Sequence, residues 1–312
     1  MKPVFIGGCE RSGTTMLGAM LGAHPRYLSP PEMPFKLDLL RSGSGNNQLK
    51  QADVRSKLEG DQKAQLQGWQ IAEQKWAFDS APASDVVVAI VQAYGAMHGL
   101  PNPGVWIDHT PNNIRWANTL ATEFSDASFV HIVRDGRAVA ASLMNLEWGP
   151  NTVFAAARYW LESLSAGLAA ETALGARCIR TRYEDLVSEP ETELRKLCSG
   201  LGIEFDQAMV DGGGFEVSSY SKGQHALVGS APDPNRALAW KQQLSPREIE
   251  IFEAAVGDVL PLLEYEPQVG MAAIPATRTE RLSGELKDLF RRRVINRVRK
   301  RSRIKNARRG ES

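Results

Sequence analysis

The residues best equipped for chemistry open the chain, in GGCERSGTTMLGAMLGAHP. Gly8, Cys9, Glu10, Arg11, Ser12, Gly13, Thr14 and Thr15 satisfy the G-x-x-x-x-G spacing of a phosphate-cradling loop, but Thr14 stands where a Walker loop carries lysine. A glycine-bearing turn between a buried strand and a helix aims several backbone N–H groups at one spot, where the positive end of the helix dipole also lies. That spot suits an oxyanion. With hydroxyls on Thr14 and Thr15 and a cation at Arg11, it fits a single phosphate or sulfate-like group better than a metal-bound triphosphate. Turns of this kind also exist for packing alone, so the loop needs an independent companion.

That companion is SFVHIVRDGRAVAASLM. Arg134 sits at the carboxyl end of a predicted strand, where open α/β sheets bind ligands. Ser142, eight residues later, falls about two turns into the next helix, whose N-cap is Asp135. Arg134 and Ser142 suit a second phosphate, the arginine gripping it bidentately. The competing reading is an arginine salt-bridged to a nearby carboxylate. Cys9, Cys178 and Cys198 lie far apart and make no CxxC, so they suggest neither a zinc knuckle nor a disulfide framework. The expected setting is cytoplasmic: no apolar run approaches the roughly 20 residues that cross a bilayer, and PVFIGG lacks the form of a cleaved leader.

The elements that must position these residues alternate. VFIGG, GVWID, ASFVHIV and ARCIRTR read as strands. Between them MLGAMLGA, residues 84–98 behind an N-capping Ser84, NNIRWANTLATEF, DGRAVAASLM and residues 152–174 read as helices, and SEPETELRKLCSGLG follows the last strand. This pattern predicts an α/β fold of three layers, a central parallel sheet flanked by helices. Residues 1–270 are expected to form one domain, with 36–100 as a partly helical insertion around the turn RSGSGNNQ. Residues 271–312 form a basic extension, helical or disordered. The chain carries +1 overall, yet residues 291–309 hold eleven Arg or Lys and no acid, leaving −10 elsewhere. Such a block either touches an anionic membrane surface or nucleic acid, neutralises acidic surface including that of a second subunit in a homodimer, or is simply solvated.

Taken together, RSGTT after an amino-terminal strand and VRDGRAVAAS after a central one resemble the sulfotransferases that use 3′-phosphoadenosine 5′-phosphosulfate (PAPS). The similarity is to the branch of tyrosylprotein sulfotransferases and their bacterial relatives. It spans residues 3–267 and includes HPRYLSPPE, WIDHTPNN and RYEDLVSEPETELRKLCSGLGI. The resemblance implies a P-loop-like fold, PAPS as co-substrate, 3′-phosphoadenosine 5′-phosphate (PAP) as product, and no metal. A donor ending in phosphosulfate has no γ-phosphate for a Walker lysine to serve. By the same resemblance Ser12, Gly13, Thr14 and Thr15 bind the 5′-phosphate, Arg11 stabilises charge on the transferring group, and Arg134 and Ser142 read the 3′-phosphate. Tyr183 falls where the family keeps a tyrosine near the adenine or 3′-phosphate, or else is a core aromatic at a strand end.

Glu32, in SPPEMP, matches the general base of the protein-tyrosine branch. His109, in DHTPNN, stands where relatives carry lysine, and reads as a protonated donor, a base, or a capping or core histidine. In SKGQHALVGSAPDPNRALAW, aligned loosely, His225 and Arg236 would close over the donor, with Ser221 and Lys222 nearby. Pro34 replaces the branch's arginine two residues beyond the base, which argues against an acidic tyrosine-containing peptide as acceptor. The implied acceptor is a hydroxyl on a small molecule, sugar, lipid or peptide, lined by residues 36–100 and 145–155. Trp69, Trp76, Trp106, Trp116 and Trp148 either stack on that acceptor or pack within the protein. The rival readings are a P-loop nucleotide phosphotransferase and a non-catalytic nucleotide-binding relative.

Overall fold

The structure is a computed structural model that describes residues 1–43, 47–213, 233–299 and 301–302. The chain runs β1 (Lys2–Gly8), α1 (Thr14–Gly22), β2 (Tyr27–Leu28), α2 (Lys36–Ser42), β3 (Leu49–Lys50), α3 (Gln51–Glu59), α4 (Gln62–Leu66), β4 (Ser80–Ala81) and α5 (Ala83–Met97). It continues through β5 (Val105–Asp108), α6 (Ala117–Glu123), β6 (Ser128–Val133), α7 (Gly136–Leu143), α8 (Val153–Leu174), β7 (Cys178–Arg182), α9 (Tyr183–Ser188) and α10 (Pro190–Leu201). Among the later helices, Asn235–Leu238, Pro246–Val256 and the C-terminal Arg278–Phe290 bear on function.

Alternation along β1 decides the layers. Val4 and Ile6 point to one face of the sheet and Phe5 to the other, since successive strand side chains alternate. Val4 and Ile6 share a buried cluster with Leu17, Met20 and Leu21 of α1 and Leu194, Leu197 and Leu201 of α10. Phe5 packs edge-on against Trp106 (5.3 Å between centroids) and shares its cluster with Val86 and Ile90 of α5. Both faces are covered, as an all-parallel sheet requires. The five strands run in the order β2-β5-β1-β6-β7, every pair parallel. From β1 the chain departs toward β2 and β5, and from β6 toward β7, so the topological switch point lies between β1 and β6.

The insertion expected at 36–100 contains α2 to α5 and a two-stranded antiparallel ribbon of β3 and β4. Its Trp69, Val86 and Ile90 belong to the cluster that holds Phe5, so it packs directly on the sheet. Part of RSGSGNNQ, residues 44–46, lies outside the described residues. Two local expectations are corrected. Ser84 is not the N-cap of α5: the helix begins at Ala83 with Pro82 at the cap, because proline's fixed φ suits a helix entrance. NNIRWANTLATEF is not one helix either, since Pro111–Trp116 is a 3₁₀ turn that hands over to α6.

Helix α8 crosses behind β6 at close range. His131 of β6 pairs with Glu171 of α8, which also receives Arg180 of β7. Gly167 permits that approach, since a Cβ there would lie 2.0 Å from the His131 ring. Gly167→Ala should therefore destabilise the protein by about 1–3 kcal/mol, the usual cost of overpacking. Gly60→Ala, whose added Cβ meets neighbours only at 3.4 and 3.6 Å, is the control. Equal melting temperatures for the two variants would refute the packing account.

Candidate active site

The first loop leaves β1 at Gly8 and folds back when the Ser12 N–H donates to the Cys9 carbonyl (3.0 Å). Arg11 and Gly13 both adopt left-handed backbone, with φ of 72° and 100°. Only glycine does this without strain, so Arg11 is held there by its surroundings. Gly13 caps α1, and a Cβ on it would lie 2.7 Å from the Tyr183 ring. Thr14 and Thr15 open the helix, where backbone N–H groups have no partner within it. The buried Ser12 hydroxyl has no hydrogen-bond partner among the described residues.

The second motif closes on the first. Arg134 follows the end of β6, and its Nη1 donates to the Arg11 carbonyl (2.9 Å) while Nη2 donates to the Arg236 carbonyl (3.2 Å). Its guanidinium stacks on Tyr183 at 4.1 Å, and its buried Nε has no hydrogen-bond partner among the described residues. Ser142, on α7, accepts a hydrogen bond from Arg11 Nε at 3.0 Å. Burial lowers the Arg11 pKa, Arg134 and Arg236 press it the same way, and Glu32 opposes them. Arg11, Ser12, Gly13, Arg134, Ser142, Tyr183 and Arg236 are thus gathered at the switch point. His225, with Ser221 and Lys222, lies outside the described residues.

A third loop brings the carboxyl group. The Trp69 indole donates to the Glu32 carbonyl (3.0 Å), and the next N–H, of Met33, donates to Thr110 Oγ1 (2.9 Å). Burial pushes the Glu32 pKa up to about 7; Lys63 and Lys36 act against that shift, while Asp108 and Glu10 add to it. Below it, Lys36 and Asp108 form an ion pair at 2.9 Å with side chains 0% and 1% exposed. Burial alone would raise Asp108, yet Lys36, Thr110 and Asn113 hold it below the ordinary carboxylate range. No local signal in the sequence marks Lys36, which opens α2 and is buried only because Asp108 of β5 packs against it.

His109 follows β5 and is buried, its ring against Gly18 of α1. Burial drives its pKa down to about 4, so the imidazole is neutral at pH 7 and does not replace the charge of a lysine. Trp69, Trp76 and Trp106 are buried in the core beneath the sheet, whereas Trp116 and Trp148 reach solvent. Thr152, Phe154, Tyr159 and Arg281 help line a cavity of about 340 Å³, which the expected 145–155 region borders. Burial and the nearby charge of Glu10 both raise the Tyr159 pKa, so one wall of that cavity lies close to the first loop.

Chemically, the arrangement sets a backbone turn and two guanidinium groups, a chemistry suited to anions, near a carboxyl group whose pKa is raised to about 7. The titration has a sign. Glu32 binds its proton more tightly in the folded chain than at the ordinary carboxyl value of 4.5, so folding loses stability as pH rises from there to about 7. Glu32→Gln removes that penalty: its melting temperature should exceed wild type at pH 8 and converge with it below pH 4.5. A variant less stable than wild type at pH 8 would contradict the burial of a charged carboxylate.

Comparison with known proteins agrees with this architecture. The model of the Sulfotransferase family matches residues 3–207. Protein-tyrosine sulfotransferase 1 of Danio rerio is 26% identical over 287 residues, covering 86% of this chain and 73% of that protein. Nodulation protein NoeE of Sinorhizobium fredii is 27% identical over 290 residues, covering 84% of this chain and 65% of NoeE. Among solved structures, the sulfotransferase domain of the Synechococcus PCC 7002 olefin synthase superposes with a TM-score of 0.58 at 22% identity, covering 85% of this chain and 95% of that domain. The sulfotransferase domain of the curacin biosynthetic pathway gives 0.56 at 19% identity, covering 85% and 98%. The parallel sheet flanked by helices is therefore the fold of these neighbours, and the chain belongs to the sulfotransferase family.

Proposed function

We propose that the protein transfers a sulfuryl group from PAPS to a hydroxyl acceptor, with Glu32 as general base. The observation that carries this reading is the junction of the two motifs: Arg11 bonded to Ser142, and Arg134 bonded to the Arg11 carbonyl. Buried polar atoms are nearly always satisfied. Ser12 Oγ and Arg134 Nε, without a partner among the described residues, fit a ligand with one anionic group at each. PAPS has that form. Ser12, Gly13, Thr14 and Thr15 would hold its 5′-phosphosulfate, Arg134 and Ser142 its 3′-phosphate, and Tyr183 and Arg236 would flank the arginine. His225, outside the described residues, remains part of the proposal as a donor-site residue.

In the reaction the acceptor oxygen bonds to sulfur as the bond from sulfur to the phosphate oxygen breaks. The electron pair leaves on that oxygen to give PAP, and the acceptor proton passes to Glu32. Arg11 is a fixed cation placed where negative charge grows on the sulfuryl and bridging oxygens, a preorganised form of stabilisation. A carboxylate whose pKa lies near the working pH is well matched to accept the proton. Lys36 acts through Asp108, fixing the loop that presents Glu32. His109, neutral and buried, has a positioning role against α1. The Danio rerio relative is named for protein tyrosine. Pro34 of this chain lacks the charge expected for an acidic tyrosine peptide, so the acceptor class stays at a hydroxyl of a small molecule, sugar, lipid or peptide.

Calorimetric titration with PAP, against AMP and ATP, is the first test. Binding should need no metal and should depend on the 3′-phosphate. Arg134→Ala should weaken it roughly 10- to 100-fold, equivalent to about 1.5–3 kcal/mol for hydrogen bonds to a charged group. Equal preference for magnesium-ATP would replace this reading with phosphotransfer.

With PAPS and a panel of hydroxyl acceptors, turnover should rise with pH through about 7 as Glu32 ionises. Glu32→Gln should slow turnover about 10²- to 10⁴-fold with PAP affinity retained. Wild-type turnover in that variant would remove Glu32 from the mechanism.

A further inference from the structure

The C-terminal helix Arg278–Phe290 is mounted with its polar side toward the body. Gly284 faces Thr152, and Asp288 accepts from the side-chain amide of Asn151. Arg281 lies over the Phe154 ring at 4.8 Å, and Glu280 pairs with Arg247 at 2.9 Å. Beyond a π-helical turn, Arg291–Ile295, the Arg291 guanidinium donates to the Met144 carbonyl (3.2 Å) and Asn296 is buried. The opposite side is apolar and bare. Leu282, Leu286, Leu289 and Phe290 are 61%, 68%, 46% and 60% exposed. At about 100° per residue they occupy a single sector roughly 100° wide. The π turn takes up one extra residue, which brings the exposed Val298 round to the same side.

An ordinary surface helix buries its apolar stripe and shows water its charges. Here the arrangement is inverted, and the exposed stripe runs into exposed Arg293, Arg297, Arg299 and Arg301, with Lys287 beside it. Of the helix acids, Glu280 and Asp288 are engaged by Arg247 and Asn151, and Glu285 is exposed. No acid occurs in residues 291–309. We propose that this face is a docking surface for an anionic lipid bilayer. The leucines and Phe290 seat among the acyl chains just below the headgroups, and the arginines lie on headgroup anions, the composition that holds an interfacial helix in place.

Charge decides between occupants. A second copy docked with its helix parallel would set two arginine-rich segments against each other. An antiparallel copy would offer those arginines little beyond Glu285, since Glu280 is engaged by Arg247, and a nucleic acid would leave the leucines in water. Docking is peripheral, since among the described residues no helix is long and apolar enough to cross a membrane.

The test is co-sedimentation of the full chain with vesicles of phosphatidylcholine alone and of phosphatidylcholine mixed with phosphatidylserine. The chain should sediment with the mixed vesicles, and added salt should release it. Leu286→Asp should weaken binding roughly ten-fold or more, the equivalent of withdrawing one leucine from apolar surroundings. Leu286 is exposed, so the variant should melt like wild type, and the melting curve verifies that its fold is intact. Three results overturn the proposal: no sedimentation with mixed vesicles, wild-type binding by Leu286→Asp, or a dimer in light scattering that Leu286→Asp dissociates while vesicles bind nothing.

Discussion

Everything at the site depends on β1 and β6 being neighbours that run parallel and discharge their chains in opposite directions. Their register, Val4 opposite Ser128 through Gly8 opposite Ile132, brings both strands to an end at the same edge of the sheet. The loop of one and the arginine of the other then emerge within hydrogen-bonding distance. At a topological switch point no crossover connection covers the crevice, so a ligand can reach backbone amides and guanidinium groups together. Two segments separated by more than 120 residues of sequence are brought into contact through strand pairing.

Gathering Arg11, Arg134 and Arg236 in one place is unfavourable unless the surroundings hold them. The protein does this partly with rigid buried polar groups. Behind Arg134, Arg137 is clamped between Asp135 (2.9 Å) and Glu253 (2.7 Å), all three nearly buried, and it stacks on Trp240 at 4.1 Å. This ties the start of α7 to the helix Pro246–Val256, and so fixes where Arg134 and Ser142 stand. The Lys36–Asp108 pair does the same beneath Glu32. Buried pairs of this sort are weak contributors to net stability, since desolvation offsets most of their attraction. Their consequence here is geometric: a charged partner in a dry interior tolerates little displacement.

Glu32 shows how a carboxyl group can keep a raised pKa beside so much positive charge. Its main chain is pinned by Trp69 and Thr110, while its carboxyl is governed chiefly by desolvation. Nearby lysines lower its pKa less than burial raises it. The C-terminal helix obeys a different logic. Its polar contacts to Asn151 and Arg247, with the bond from Arg291 just beyond it to Met144, hold it on the body, which leaves its apolar side unused by the fold.

The alternation of VFIGG, GVWID, ASFVHIV and ARCIRTR with helical segments was enough to specify a parallel sheet, because local periodicity and burial on both faces leave few other solutions. RSGTT and VRDGRAVAAS were likewise legible as a strand-to-helix turn and a strand end with its following helix, since both impose their residue types locally. Cap positions were less legible: Pro82 displaced Ser84, and a 3₁₀ turn interrupted the segment before α6. Nothing local said that Arg11 would bond to Ser142, that Lys36 would be fully buried against Asp108, or that His109 would be neutral. Sequence carries which groups a segment owns. Hydrogen-bond partners, desolvation and the pKa values that follow depend on what other segments pack around them, and only the tertiary structure decides that.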